Sequence, residues 1–219
     1  MDDTRRALVQ IHPSGEPATT GLGIIAGEFV FTCAHFDDLI QLPTRILETP
    51  LFEVRRLHDG VQGTLAMLVA TSTDFMALAS DGVFVNMSEG GPTESSYDVL
   101  TDEDGNYNAI RPSMLEFSGA KASADISGFF FSQDGKRVHQ VELSVSRNSP
   151  IITYYSNDML RGCSGGPIFT NDLHLIGINT NMGDIFPGHH QRHCLGRRID
   201  LCSPLFLHRC IEWRTLRFE

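Results

Sequence analysis

The stretch "RGCSGGPIF", Arg161 to Phe169, sets one hydroxyl residue, Ser164, among Gly162, Gly165, Gly166 and Pro167. An ordinary turn needs one glycine for a positive backbone dihedral, or one proline to fix φ. So many around one serine bring backbone N–H groups close to a ligand and expose the hydroxyl. A serine presented in this way is a nucleophile only if the chain also supplies a base and an orienting acid.

Two stretches upstream meet that demand. "FTCAHF" places His35 just after a strand-like run, with small Ala34 before it. "TSTDFMALA" places Asp74 at the mouth of another, followed by alternating bulky residues. Asp59 and Asp81 lie nearby, but neither begins an alternating strand so cleanly. An imidazole takes the serine proton, and a buried carboxylate fixes its tautomer and stabilises the imidazolium.

The rest of the chain reads as many short strands. Runs rich in Val, Ile, Phe and Thr are separated by Gly, Pro, Asp or Asn, the pattern of a sandwich or barrel. Ala7–His12, Thr20–Gly27 and Glu28–Cys33 make an opening meander, and Gln62–Ser72 and Phe75–Ser80 follow. The stretch from Asn86 to Pro112 is polar and acidic and connects two halves. The second half opens with a hairpin around Gln133-Asp134-Gly135-Lys136. It continues through "PIITYY", "GPIF", "HLIGINT" and "LGRRIDL". Ser203-Pro204 starts a closing helix as cap and first helical residue. The expected units are a β-barrel over 1–86, a linker over 87–118, a second barrel over 119–202 and a helix over 203–219. No internal sequence repeat is detectable.

With these motifs in the order His35, Asp74, Ser164, the chain resembles the trypsin-like, chymotrypsin-fold serine peptidases. Thr32-Cys33-Ala34-His35 is similar to the family's Thr-Ala-Ala-His, and Asp74-Phe75-Met76-Ala77-Leu78 to its Asp-Ile-Ala-Leu-Leu. Gly162-Cys163-Ser164-Gly165-Gly166-Pro167 is similar to its Gly-Asp-Ser-Gly-Gly-Pro, and Leu175–Thr180 resembles the strand beside the specificity pocket, especially in HtrA-type members. The resemblance implies an all-β fold of two packed six-stranded antiparallel barrels with a C-terminal helix and the triad in the cleft between barrels. It implies an oxyanion hole from the N–H groups of Gly162 and Ser164, and a substrate cleft lined by Thr180, Asn181 and Met182. Asp158 lies six residues before Ser164, where a trypsin-like pocket carries its basal aspartate. A buried carboxylate there would favour Arg or Lys at the cleavage point; small-to-medium apolar residues are the open alternative.

The departures also carry information. Cys163 stands where secreted members carry an aspartate that pairs with a newly cut N-terminus, and no Ile-Val-Gly-Gly is present. Activation by N-terminal insertion is therefore not expected. The reading is a serine endopeptidase acting on protein or peptide substrates, with no cofactor. A processing protease of a larger polyprotein is the competitor within the fold. The competing class is a latent or non-catalytic binding module on the same fold, needing a partner for activation.

Bulk properties narrow the partners. The 219 residues are 41% hydrophobic and 20% charged, enough for a real core. A net charge of −10 argues against binding nucleic acid or an anionic membrane surface. No apolar run is long enough to span a membrane, and no secretory signal precedes "ALVQIH". With Cys33, Cys163, Cys194, Cys202 and Cys210 odd in number, reduced thiols and an intracellular, cytoplasmic setting are expected. His189, His190, His193, Cys194 and Cys202 could be read as zinc ligands, but their spacing fits no finger or ribbon, and a polar loop flanking the pocket is the preferred reading. "DEDGN", Asp102 to Asn106, lacks the distal glutamate of a calcium loop and reads as solvated linker.

Overall fold

A computed structural model describes residues 2–15, 20–27, 29–33, 51–68, 82–86, 98–185 and 187–201. The chain opens with a short helix, α1 (Asp2–Arg6), which the sequence reading does not anticipate. Twelve strands follow among the described residues. In the first half these are β1 (Leu8–Pro13), β2 (Gly21–Ala26), β3 (Phe29–Cys33), β4 (Leu51–Arg56), β5 (Gln62–Leu68) and β6 (Gly82–Asn86). In the second they are β7 (Ser123–Phe131), β8 (Val138–Ser146), β9 (Ile151–Tyr155), β10 (Pro167–Thr170), β11 (Leu175–Ile185) and β12 (Arg192–Arg198). The expected closing helix and the strand at 75–80 lie outside the described residues.

The strands close into two antiparallel barrels. The first runs β1-β2-β3-β6-β5-β4 and shuts where β4 pairs with β1, Val9 opposite Arg56 and Ile11 opposite Val54. The second runs β7-β8-β9-β12-β11-β10 and shuts where β10 pairs with β7, Ile168 opposite Phe130. The two strand orders are the same pattern twice, although no sequence repeat announces it. Closure leaves no open sheet edge to be capped.

Strand faces follow from residue type. On β4, Phe52 and Val54 point inward and are buried, while Glu53 and Arg55 alternate with them. β2 and β3 are buried along their whole length, because they also face the other barrel. One apolar cluster runs from Leu8, Ile24 and Phe31 to Phe129, Phe169 and Leu175, so the two barrels share a core. Phe129 stacks on Phe169 at 5.4 Å, and Phe131 meets Phe129 edge-on at 5.7 Å. A second cluster, with Phe130, Tyr154, Met159, Cys163 and Cys194, fills the far barrel beneath the Ser164 loop.

The acidic connection is tied down where it is described. Arg56 Nη1 donates to Thr101 O, and Ser113 N donates to Leu175 O at 2.8 Å. Gly27 bridges to Asn108 and Pro112 to Leu175, so the segment straps one barrel to the other. Within "DEDGN", Asp102 Oδ1 accepts from Asp104 N at 3.0 Å and Asn106 N at 2.8 Å. The Asn106 N–H bond leads in holding this carboxyl below the usual range, and the loop closes on itself as a turn. Among the described residues no helix is long and apolar enough to cross a membrane.

Candidate active site

The segment between β9 and β10 carries Ser164 and turns twice in a short space. Cys163 N donates to Leu160 O at 3.1 Å and Gly166 N to Cys163 O at 3.0 Å. Gly162 and Gly165 hold φ of 88° and 81°, a region that side-chain-bearing residues rarely adopt. The N–H groups of Gly162 and Ser164 donate to no other described residue.

The loop sits between the barrels. On its own side, Gly165 N donates to Asn179 O at 2.8 Å and Asn179 N donates to Gly166 O at 2.7 Å. On the other side, Leu22 N of β2 donates to Ser164 O at 2.8 Å, and Thr32 Oγ1 of β3 donates to Leu22 O at 2.6 Å. The fit is close: a Cβ on Gly165 would lie 2.1 Å from Leu22 O, 2.2 Å from Thr32 Oγ1 and 3.0 Å from Cys33 N. The Ser164 loop is thus packed on the end of β3, the strand that stops two residues before His35 in the sequence. His35 and Asp74 lie outside the described residues.

Ser164 is half-buried, and its hydroxyl donates to Thr180 O at 3.3 Å. Thr180, Asn181 and Met182 follow one another on β11; Thr180 is buried, with Oγ1 donating to Leu195 O at 3.1 Å, and the next two are half-buried. The structure brings Ser164, Gly162 and the start of this run together.

Asp158 is placed differently from the expectation. Its carboxylate is 63% exposed and faces His139 Nδ1 of β8 at 3.2 Å, while the His139 ring stacks on Phe130 at 5.1 Å. The neighbouring Met159, not Asp158, turns into the core. A buried carboxylate at the foot of a pocket is therefore not what this position provides.

Three features escape the sequence reading. Asn179 is fully buried; Tyr154 O–H donates to its Oδ1 at 2.7 Å, and its Nδ2 finds no acceptor among the described residues. An asparagine inside the apolar run "LIGINT" is the signal that could have singled it out. Arg192, opening β12, donates from Nη1 to Met182 Sδ at 2.7 Å. The rings of His189 and His193 pack on Tyr155 at 4.6 and 5.3 Å, and Cys202 lies outside the described residues.

Cys163, next to Ser164 in the chain, is 1% exposed, and burial pushes its thiol up. Such a thiol packs rather than reacts at neutral pH. Cys163→Asp is expected to destabilise the fold by about 3 kcal/mol or more, because it buries a carboxylate without a cation. Urea unfolding checks this, and an undiminished midpoint would place the side chain outside the core.

Neither a protein-family model nor a curated protein matches the sequence. Its structure does match solved ones. The serine endoprotease from Yersinia pestis superposes with a TM-score of 0.57 at 14% identity, covering 98% of this chain and 66% of that one. The human pathogenic astrovirus serine protease gives 0.52 at 13% identity, covering 92% of each chain. Catalytically active tobacco etch virus protease gives 0.53 at 12% identity, covering 98% of this chain and 81% of that one. The chain has the chymotrypsin fold. At these identities the likeness is one of fold, and these proteins share with it two barrels rather than a readable sequence.

Proposed function

We propose that this chymotrypsin-fold chain is a serine endopeptidase whose nucleophile is Ser164. Ser164 Oγ attacks the scissile carbonyl carbon while His35 takes its proton. The tetrahedral intermediate then collapses to an acyl-enzyme as His35 returns that proton to the leaving amine. Water, deprotonated by the same imidazole, releases the acid and restores the serine. Asp74 orients His35 and stabilises its charged form, and the N–H groups of Gly162 and Ser164 receive the oxyanion, a contribution worth about 10²–10³ in rate per donor.

The observation that carries this reading is the seating of the Ser164 loop on β2 and β3. Leu22 N reaches Ser164 O, and Gly165 presses on Thr32 and Cys33, directly ahead of His35 in the chain. A base supplied by the residues that follow β3 is consistent with this seating. The N–H groups of Gly162 and Ser164, which donate to no other described residue, and the protease activity named for proteins that share the fold support it further.

Covalent labelling by a fluorophosphonate probe tests the reading. The wild-type chain is expected to label, and Ser164→Ala and His35→Ala to lose the label. A folded wild-type chain that does not label, or a label that survives in Ser164→Ala, would overturn it in favour of a latent or non-catalytic module.

A further inference from the structure

Substrate lying along β11 past Ser164 meets two walls. One is β11 itself, from Thr180 to Met182, the other the segment that leaves β9 at Ser156 and returns at Ser164. Arg192 joins them. Its backbone is fixed to the second wall, Ser156 N donating to Arg192 O at 3.0 Å and Arg192 N donating to Asn157 Oδ1 at 3.3 Å. Its side chain crosses to the first wall and rests on Met182 Sδ. Met182 is two residues from Thr180, about 7 Å along the strand from the carbonyl that Ser164 touches.

The guanidinium is under-used there. It offers five N–H donors in a planar fork, and a thioether sulfur is a weak acceptor. Arg192 is half-buried and forms no ion pair with another described residue. Asp158, the acid on the nearer wall, is turned to His139 instead. Arg161, exposed beside Gly162, likewise forms no ion pair with a described residue. Two cations that pair with no described anion therefore flank the site in a chain whose net charge is −10. A lysine or arginine entering here meets like charge, an apolar residue leaves the fork unpaired, and a carboxylate satisfies it with two parallel charge-assisted bonds.

We propose that Arg192 is a specificity-determining residue and that the site selects aspartate or glutamate at the cleavage point. The proposal rests on the reading of Ser164 as the nucleophile, and it replaces both the basic and the apolar preference that the sequence leaves open.

Three diphenyl phosphonate probes, identical except for a Glu, Leu or Lys side chain at the position that enters the specificity pocket, test it. Ser164 Oγ bonds to phosphorus, one phenoxide departs, and the serine proton leaves with it as phenol. Labelling rates are divided by the fluorophosphonate rate of the same preparation, so that a partly folded variant does not distort the ratio. The wild-type chain is expected to take the Glu probe at least about tenfold faster than the Leu probe, and the Lys probe slowest. Arg192→Ala should lower the Glu-to-Leu ratio about tenfold, Arg192→Lys should restore part of it, and Arg192→Glu should favour the Lys probe. A wild-type chain that labels with fluorophosphonate but prefers Leu or Lys overturns the specificity alone, as does an Arg192→Ala ratio equal to wild type. A chain that reacts with no probe overturns the nucleophile, and the specificity falls with it.

Discussion

Gly165→Ala is expected to lose about 3–6 kcal/mol of folding stability and, with it, labelling of Ser164. Three contributions act together. A φ of 81° costs a residue with a Cβ about 1–2 kcal/mol. The added carbon would lie 2.1 Å from Leu22 O and 2.2 Å from Thr32 Oγ1, so backbone, not a flexible side-chain tip, has to move. Overpacking of this kind typically costs about 1–3 kcal/mol. The movement also pulls Ser164 O from Leu22 N, a hydrogen bond between the barrels worth about 1 kcal/mol. Against a usual total of about 5–15 kcal/mol, the variant would be marginal. Urea unfolding and fluorophosphonate labelling at a temperature where the variant remains folded separate the two effects. A variant within about 1 kcal/mol of wild type that labels normally would mean that the Ser164 loop does not sit against β2 and β3.

The same contact shows how far sequence alone carries. Glycines around one serine are legible because no bland turn requires so many, and the strands of the second barrel are legible because their apolar runs are bounded by turn residues. β4 is harder. "LFEVRR" alternates correctly, with Phe52 and Val54 buried, but its charged half hides a strand whose outer face is simply wet. β6, "GVFVN", runs into the polar connection, and α1 has no apolar period, only acids at its first turn and bases at its last. The repeated strand order of the barrels is invisible because topology constrains which positions face inward, not which apolar residue fills them. Asp158 illustrates the other limit. Its partner, His139, sits on β8, and no local spacing says that a carboxylate will turn outward to a distant strand rather than inward to a pocket. Arg192 is hidden for a related reason: its contact with Met182 depends on the β11–β12 register, which shifts between Met182 and Ile185.

Asp200→Ala should be the second severe substitution, at about 3–5 kcal/mol, although it lies outside the proposed chemistry. Asp200 takes Arg198 in a two-pronged pair, Nε to Oδ1 at 2.9 Å and Nη2 to Oδ2 at 2.6 Å, with both side chains 3% exposed. Arg198 Nη1 meanwhile donates to Ser146 O at 2.6 Å, at the end of β8, and Asp200 Oδ2 accepts from Leu115 N at 3.2 Å. The Arg198 guanidinium also lies over the Phe117 ring at 5.4 Å. One ion pair thus ties β12 to the strap that connects the barrels. Removing the carboxylate takes two charge-assisted bonds from a buried guanidinium and frees Leu115 N at once. Replacing a buried pair by apolar residues is often neutral, but here Arg198→Met with Asp200→Leu would still remove the Nη1 donor from the Ser146, Arg147 and Ser149 carbonyls, Ser146 O keeping only Ser149 N, and would leave Leu115 N without the Asp200 carboxylate. The double variant is therefore expected between wild type and Asp200→Ala in urea. If it equals wild type, the pair serves only itself; if it is as unstable as Asp200→Ala, the lost carbonyl and strap contacts outweigh the loss of the carboxylate from the buried guanidinium.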